Sequence, residues 1–105
     1  MPQDEHPDVA YKILTSAQWI QFETDGIFHG APVDDVDGFI HLSTADQLQG
    51  TLDKHFSGQS DLVIATIDLT AVATDLKWEL SRGDAWFPHI YGTLPITAVT
   101  DIKTH

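Results

Sequence analysis

Two histidines interrupt the most strand-like apolar runs of the chain, His41 in Gly38-Phe39-Ile40-His41-Leu42 and His89 in Phe87-Pro88-His89-Ile90-Tyr91. Each is followed two residues later by another polar-tipped side chain, Ser43 and Tyr91, and strand alternation puts each pair on one face. A single histidine in such a run is most simply a hydrogen-bonded core residue. Two in the same pattern point to a site, because imidazole can carry a proton either way near neutral pH. Arg82, the only arginine, lies between Trp78-Glu79 and the Phe87–Tyr91 segment. A guanidinium beside aromatics and histidines in an acidic chain is a candidate anion clamp. Its simpler reading is a surface ion pair with one of the 16 acids. Glu79 supplies a carboxylate three residues before Arg82, and Lys12 supplies a cation on the first strand-like run.

Other chemistries lose their support. The sequence contains no G-x-G-x-x-G, no G-x-x-x-x-G-K-[ST], no G-x-S-x-G and no H-E-x-x-H. Asp35-Val36-Asp37-Gly38 fits the middle of an EF-hand loop, but Val33 and Thr44 stand where the first and last acids belong. Without cysteine there is no disulfide, no thiolate metal site and no cysteine nucleophile. Histidines with a carboxylate as third ligand can hold zinc, yet the spacings match no local metal signature, so no metal is expected. Arg82-Gly83-Asp84 reads as a tight turn rather than an adhesion motif.

The formal net charge is −11 over 105 residues. Ten acids and one base fall in residues 1–53, six acids and four bases in residues 54–105. A counterion-displacing cationic surface is missing, which argues against DNA or RNA as a partner. The acidity serves solubility, or offers a docking surface to a basic protein. No segment is long and apolar enough to suggest a membrane span. The polar, acidic opening residues lack the form of a secretory signal, and the lack of cysteine suits a reducing compartment, so a cytoplasmic location is expected.

The elements that must carry these residues read as follows. Residues 1–8 form a flexible lead-in, and residues 9–105 a single domain. Val9–Leu14 alternates as a first strand. Thr15 with Gln18 is a capping box for a helix that Gly26 stops. Ile27 to Asp37, with Gly30, Pro32 and three aspartates, reads as a surface loop. After the short strand Gly38–Leu42, Thr44 with Gln47 caps a second helix whose Leu48, Leu52 and Phe56 form one buried face, ended by Gly58. Leu62–Ile67 is the expected central strand, Leu69–Thr74 at most one helical turn, and Leu76–Leu80 and Trp86–Tyr91 are strands. Pro95 opens a last strand, Ile96–Ile102. The expected core is Leu48, Leu52, Phe56, Val63, Ala65, Ile67 and Trp78. The order β-α-β-α-β-β-β-β, with short connections late in the chain, predicts an α+β domain with two helices and a mainly antiparallel sheet.

Tyr11-Lys12-Ile13-Leu14-Thr15, Asp37-Gly38-Phe39-Ile40-His41-Leu42-Ser43, Lys77-Trp78-Glu79 and Phe87-Pro88-His89-Ile90-Tyr91-Gly92 with Leu94, in this order, resemble the DUF952 family of small bacterial proteins. The resemblance runs from about Val9 to Ile102. It implies a split β-sheet domain similar to the ADP-ribosyltransferase-like folds, which include RNA 2′-phosphotransferases, with NAD or an ADP-ribosylated species in a cleft between the halves. It places Lys12 at the ribose-holding position of the first strand, where the family pattern reads Tyr-His. It places His41 on the second strand, and Glu79, His89 and Tyr91 on later ones.

Such chemistry has roles for these groups. Cleavage at C1′ of a ribose develops oxocarbenium character. A carboxylate such as Glu79 can stabilise it, His41 or His89 can bond ribose hydroxyls or move a proton, Tyr91 or Trp86 can stack on a base, and Arg82 can hold a phosphate. The resulting expectation is His41, Glu79 and His89 as catalytic residues, with Lys12, Ser43, Arg82 and Tyr91 binding a small nucleotide-like ligand, NAD being a substrate. The competing expectations are a binding module for a small anion without turnover, and a protein-interaction domain with structural histidines.

Overall fold

A computed structural model of the chain describes residues 7–80 and 85–105. The N-terminal lead-in expected over residues 1–8 falls largely outside the described residues, as does the turn at Ser81-Arg82-Gly83-Asp84. Asp8 is described, and its carbonyl accepts a hydrogen bond from the Leu69 N–H at 2.8 Å.

β1 (Val9–Thr15) pairs antiparallel with β4 (Leu62–Asp68), and β4 pairs antiparallel with β8 (Val99–Thr104). β4 is thus central, in keeping with its near-continuous β-favouring run covered on both faces. On one face Ala10, Leu14, Ala65 and Ile67 join the main core with Phe22, Ile40, Leu42 and Ile90. On the other, Ile13, Leu62 and Ile64 pack with Leu52 of α3 (Ala45–His55). The second sheet has the order β3-β6-β5, with β3 (Ile40–His41), β6 (Trp86–Ile90) and β5 (Leu76–Leu80) all antiparallel. A reciprocal backbone pair joins the sheets: Tyr11 N–H donates to Ser43 O at 2.7 Å, and Ser43 N–H donates to Tyr11 O at 2.9 Å.

α1 (Ser16–Asp25) starts and stops as expected. The Thr15 hydroxyl accepts from Gln18 N–H, Gln18 Oε1 accepts from Thr15 N–H, and Gly26 adopts the left-handed conformation at φ 75°. At the start of α3, Gln47 Oε1 accepts from Thr44 N–H at 3.0 Å.

The structure departs from the sequence reading in several places. The expected loop from Ile27 to Asp37 contains β2 (Ile27–Phe28), paired with β7 (Leu94–Pro95), and a third helix, α2 (Pro32–Asp37). Pro32 opens α2, the Asp34 carboxylate accepts from Ala31 N–H at 2.7 Å, and Gly38 closes the helix at φ 84°. The domain therefore has three α-helices among the described residues rather than two. The expected last strand divides, because Leu94–Pro95 turns to β2, a 3-10 turn occupies Ile96–Ala98, and β8 begins only at Val99. α3 ends at His55, with Phe56 rather than Gly58 at its cap. Leu52, Val63, Ala65 and Ile67 are buried as expected, but Leu48, Phe56 and Trp78 are only partly so, each lying at the margin of a core cluster.

Among the described residues no helix is long and apolar enough to cross a membrane.

Candidate functional site

β3 and β6 set His41 directly opposite His89, and the two rings lie 5.4 Å apart, edge to face. Phe39 stacks on His89 at 4.1 Å and lies 4.6 Å from the His41 ring. Both histidines line a cleft of about 540 Å³ between the two sheets. Lys12, Ser43, Thr51, Lys54, Phe56 and Phe87 also line it. Its size falls within the range of small-molecule sites.

His89 is buried and pairs with Glu79: Nδ1 lies 2.7 Å from Oε1. The same oxygen accepts from the Tyr91 hydroxyl at 2.7 Å. The pair is diagonal on one sheet face, since Glu79 registers with Phe87 and Lys77 with His89. These two hydrogen bonds hold the Glu79 carboxyl below its ordinary range, and bonding to that carboxylate raises the Tyr91 hydroxyl above its own. Burial lowers His89 despite the opposing pull of Glu79. A neutral ring facing a carboxylate at Nδ1 donates there, which leaves the Nε2 lone pair as an acceptor. Among the described residues Nε2 has no hydrogen-bond partner. Lys77 places its ammonium 4.9 Å from the centre of the Tyr91 ring.

His41 stands between two carboxylates. Nδ1 lies 2.6 Å from Asp34 Oδ1 and Nε2 lies 2.9 Å from Asp37 Oδ2. Asp34 is only 2% exposed and gathers more partners: Lys12 Nζ at 2.9 Å and the backbone N–H groups of Ala31 and His41. Burial pushes its carboxyl up, but the His41 ring, Lys12 and the two amides outweigh this and hold it at about 2. Burial lowers the Lys12 ammonium while Asp34 opposes the shift. Lys12 also donates to the His41 carbonyl at 3.1 Å. Lys12, flanked by the fully buried Ala10 and Leu14, thus ties β1 to α2 and β3.

The expected site residues divide accordingly. His41, His89, Lys12 and Ser43 line one cleft, although the Lys12 ammonium is engaged by Asp34 and the Ser43 hydroxyl by Thr51 at 3.0 Å. Glu79 and Tyr91 are linked to that cleft through His89. Arg82 lies outside the described residues. Sequence reasoning missed Asp34, Asp37, Phe39, Thr51 and Lys54. Two signals were present: Pro32 with an acid two residues later marks a helix start, and Asp37 precedes His41 by four residues.

Fold and site together define a small α+β protein with a histidine-lined cleft between two antiparallel sheets. The chain belongs to the DUF952 family of proteins of unknown function, whose profile matches residues 13–102. The crystal structure of protein CC0527 from Caulobacter crescentus is similar, with 45% identity, a TM-score of 0.88, and coverage of 91% of this chain and 84% of that one. The solution NMR structure of CC0527 superposes with a TM-score of 0.82 at 44% identity, covering 93% of this chain and 84% of that one. Among curated proteins no sequence matches the chain.

Proposed function

We propose that the cleft binds a small nucleotide of the NAD or ADP-ribose class and that His89 moves a proton on it. The observation that carries this reading is the cross-strand histidine pair: His89 is fixed by Glu79 at Nδ1 and, among the described residues, has an unengaged Nε2, on the wall of a cleft of about 540 Å³. Support also comes from the sequence resemblance, which implies a cleft of the ADP-ribosyltransferase-like kind. In this reading the substrate is NAD. The C1′–nitrogen bond breaks, nicotinamide departs with the bonding pair, an acceptor oxygen bonds C1′, and its proton passes to His89 Nε2. Glu79 acts through His89, by fixing its tautomer and favouring the imidazolium that forms. His41, held by Asp34 and Asp37, shapes the ribose end of the cleft. The reaction is assigned to the cytoplasm, consistent with a chain free of cysteine.

Calorimetric titration with NAD and ADP-ribose, beside an assay for free nicotinamide, tests the reading. Binding of both, release of nicotinamide, and loss of release in His89→Ala are expected. Binding without release makes the domain a nucleotide-binding module instead. No binding of either compound overturns the proposal.

A further inference from the structure

The cationic groups of the cleft are unequally committed. The Lys12 ammonium is paired with Asp34 at 2.9 Å. His41 is held between Asp34 and Asp37. His89 is bound to Glu79, and burial disfavours its charged form. Lys54 is different. It lines the cleft from the last turn of α3, is exposed, and among the described residues has no carboxylate partner. In a chain of net charge −11 an unpaired lysine on a cleft wall is a distinct electrostatic feature.

The order of groups along the cleft follows from the chain. Asp37 bonds His41. Ser43 lies two residues beyond His41 on the same strand direction, and its hydroxyl meets Thr51 of α3. Lys54 is three residues after Thr51, on the same helix face and most of a turn further on. A carboxylate therefore marks the histidine end and an ammonium the far end. An anionic group is repelled at the first and attracted at the second, while hydroxyls suit the polar stretch between them.

We infer that the ligand lies in the cleft with a phosphate at Lys54 and its hydroxylated ring toward His41 and His89. This rests on the reading that the cleft binds a nucleotide-like ligand, and it orients that ligand.

AMP, adenosine and ADP-ribose are titrated into the full chain and into Lys54→Gln and Lys54→Arg, with calorimetry for AMP and ADP-ribose and NMR shifts for weak binding of adenosine. The wild type is expected to prefer AMP to adenosine by about tenfold, the scale of one charge-assisted hydrogen bond. Lys54→Gln should erase that preference without changing adenosine binding, and Lys54→Arg should keep most of it. The preference should shrink as salt rises. An AMP-to-adenosine ratio unchanged in Lys54→Gln overturns the orientation while leaving the cleft as a nucleotide site. ADP-ribose binding that is unchanged in Lys54→Gln overturns the placement of a phosphate at Lys54. Absence of binding by all three probes overturns the inference together with the reading beneath it.

Discussion

Lys12 and Asp34, on β1 and α2, form a buried ion pair in which one ammonium contacts both carboxylate oxygens, at 2.9 and 3.2 Å. The two partners are not equivalent. Asp34 has the His41 ring and two amides besides Lys12, whereas among the described residues Lys12 has one other acceptor, the His41 carbonyl. Removing the acid strands a buried cation; removing the base leaves a carboxylate with three remaining donors. Asp34→Ala should therefore destabilise by about 3–5 kcal/mol, the cost of orphaning a buried charge, and Lys12→Met by distinctly less. Urea unfolding of both variants measures the difference. Equal losses would show that the extra donors to Asp34 contribute nothing.

Acid should act through the same carboxyl. Asp34 is held at about 2 against an ordinary 3.8, so the folded state binds its proton more weakly than the unfolded chain does. The stability this provides is complete above about pH 4 and is lost as pH falls through 2. It amounts to about 2 kcal/mol. Thermal melts of wild type and Asp34→Asn between pH 7 and pH 2 isolate it, because the other carboxylates titrate in both. The gap between the two proteins should narrow by that amount. A constant gap at all pH values would contradict the assignment.

His89 offers a separate readout. Its ring is lowered by burial and raised by Glu79, so Glu79→Gln should move the His89 titration to still lower pH. Two-dimensional NMR of the imidazole resonances follows this directly. An upward move would mean that Glu79 does not act on His89 as its geometry indicates. Because the unfolded ring titrates near 6.5, protonation favours the unfolded chain, and the stability contributed by neutral His89 should decline as pH falls below that value.

Two phenylalanines distinguish the core from its margin. Phe22 is 1% exposed and packs against Phe28 with ring centres 5.6 Å apart. Phe22→Ala should cost about 3–5 kcal/mol. Phe56, at the cap of α3, is only partly buried, and Phe56→Ala should cost roughly 1–3 kcal/mol. Reversal of that order in denaturant titrations would show that the second cluster, not the first, dominates stability.

The parts legible in the sequence were those governed by local rules. Thr15 with Gln18, Gly26 and the run Leu62–Ile67 each signal their structure within a few residues, and each signal holds. The polar interruptions at His41 and His89 were legible for the same reason, since a strand pattern makes an imidazole conspicuous. Asp34 was not. Its burial depends on Lys12, 22 residues earlier, and nothing in an acid-rich segment marks which of three aspartates will meet a buried ammonium. α2 escaped because six residues are too few for apolar periodicity to appear. Phe56 looked central because helical spacing reports a face, not how far that face extends into the core. The meeting of α3 with His41 along one cleft is set by the Tyr11–Ser43 backbone pair, a contact between distant segments that no local pattern announces.

The first sheet draws its three strands from residues 9–15, 62–68 and 99–104. During synthesis β1 and β4 can pair as soon as β4 leaves the ribosome, but β4 keeps an open hydrogen-bonding edge until some thirty more residues have followed. The nascent chain is then sticky on the strand that later becomes its best-protected one. Non-local pairing of this kind slows folding and exposes intermediates to aggregation. A chain shortened before Val99 should remain in that state, soluble only while something else occupies the edge.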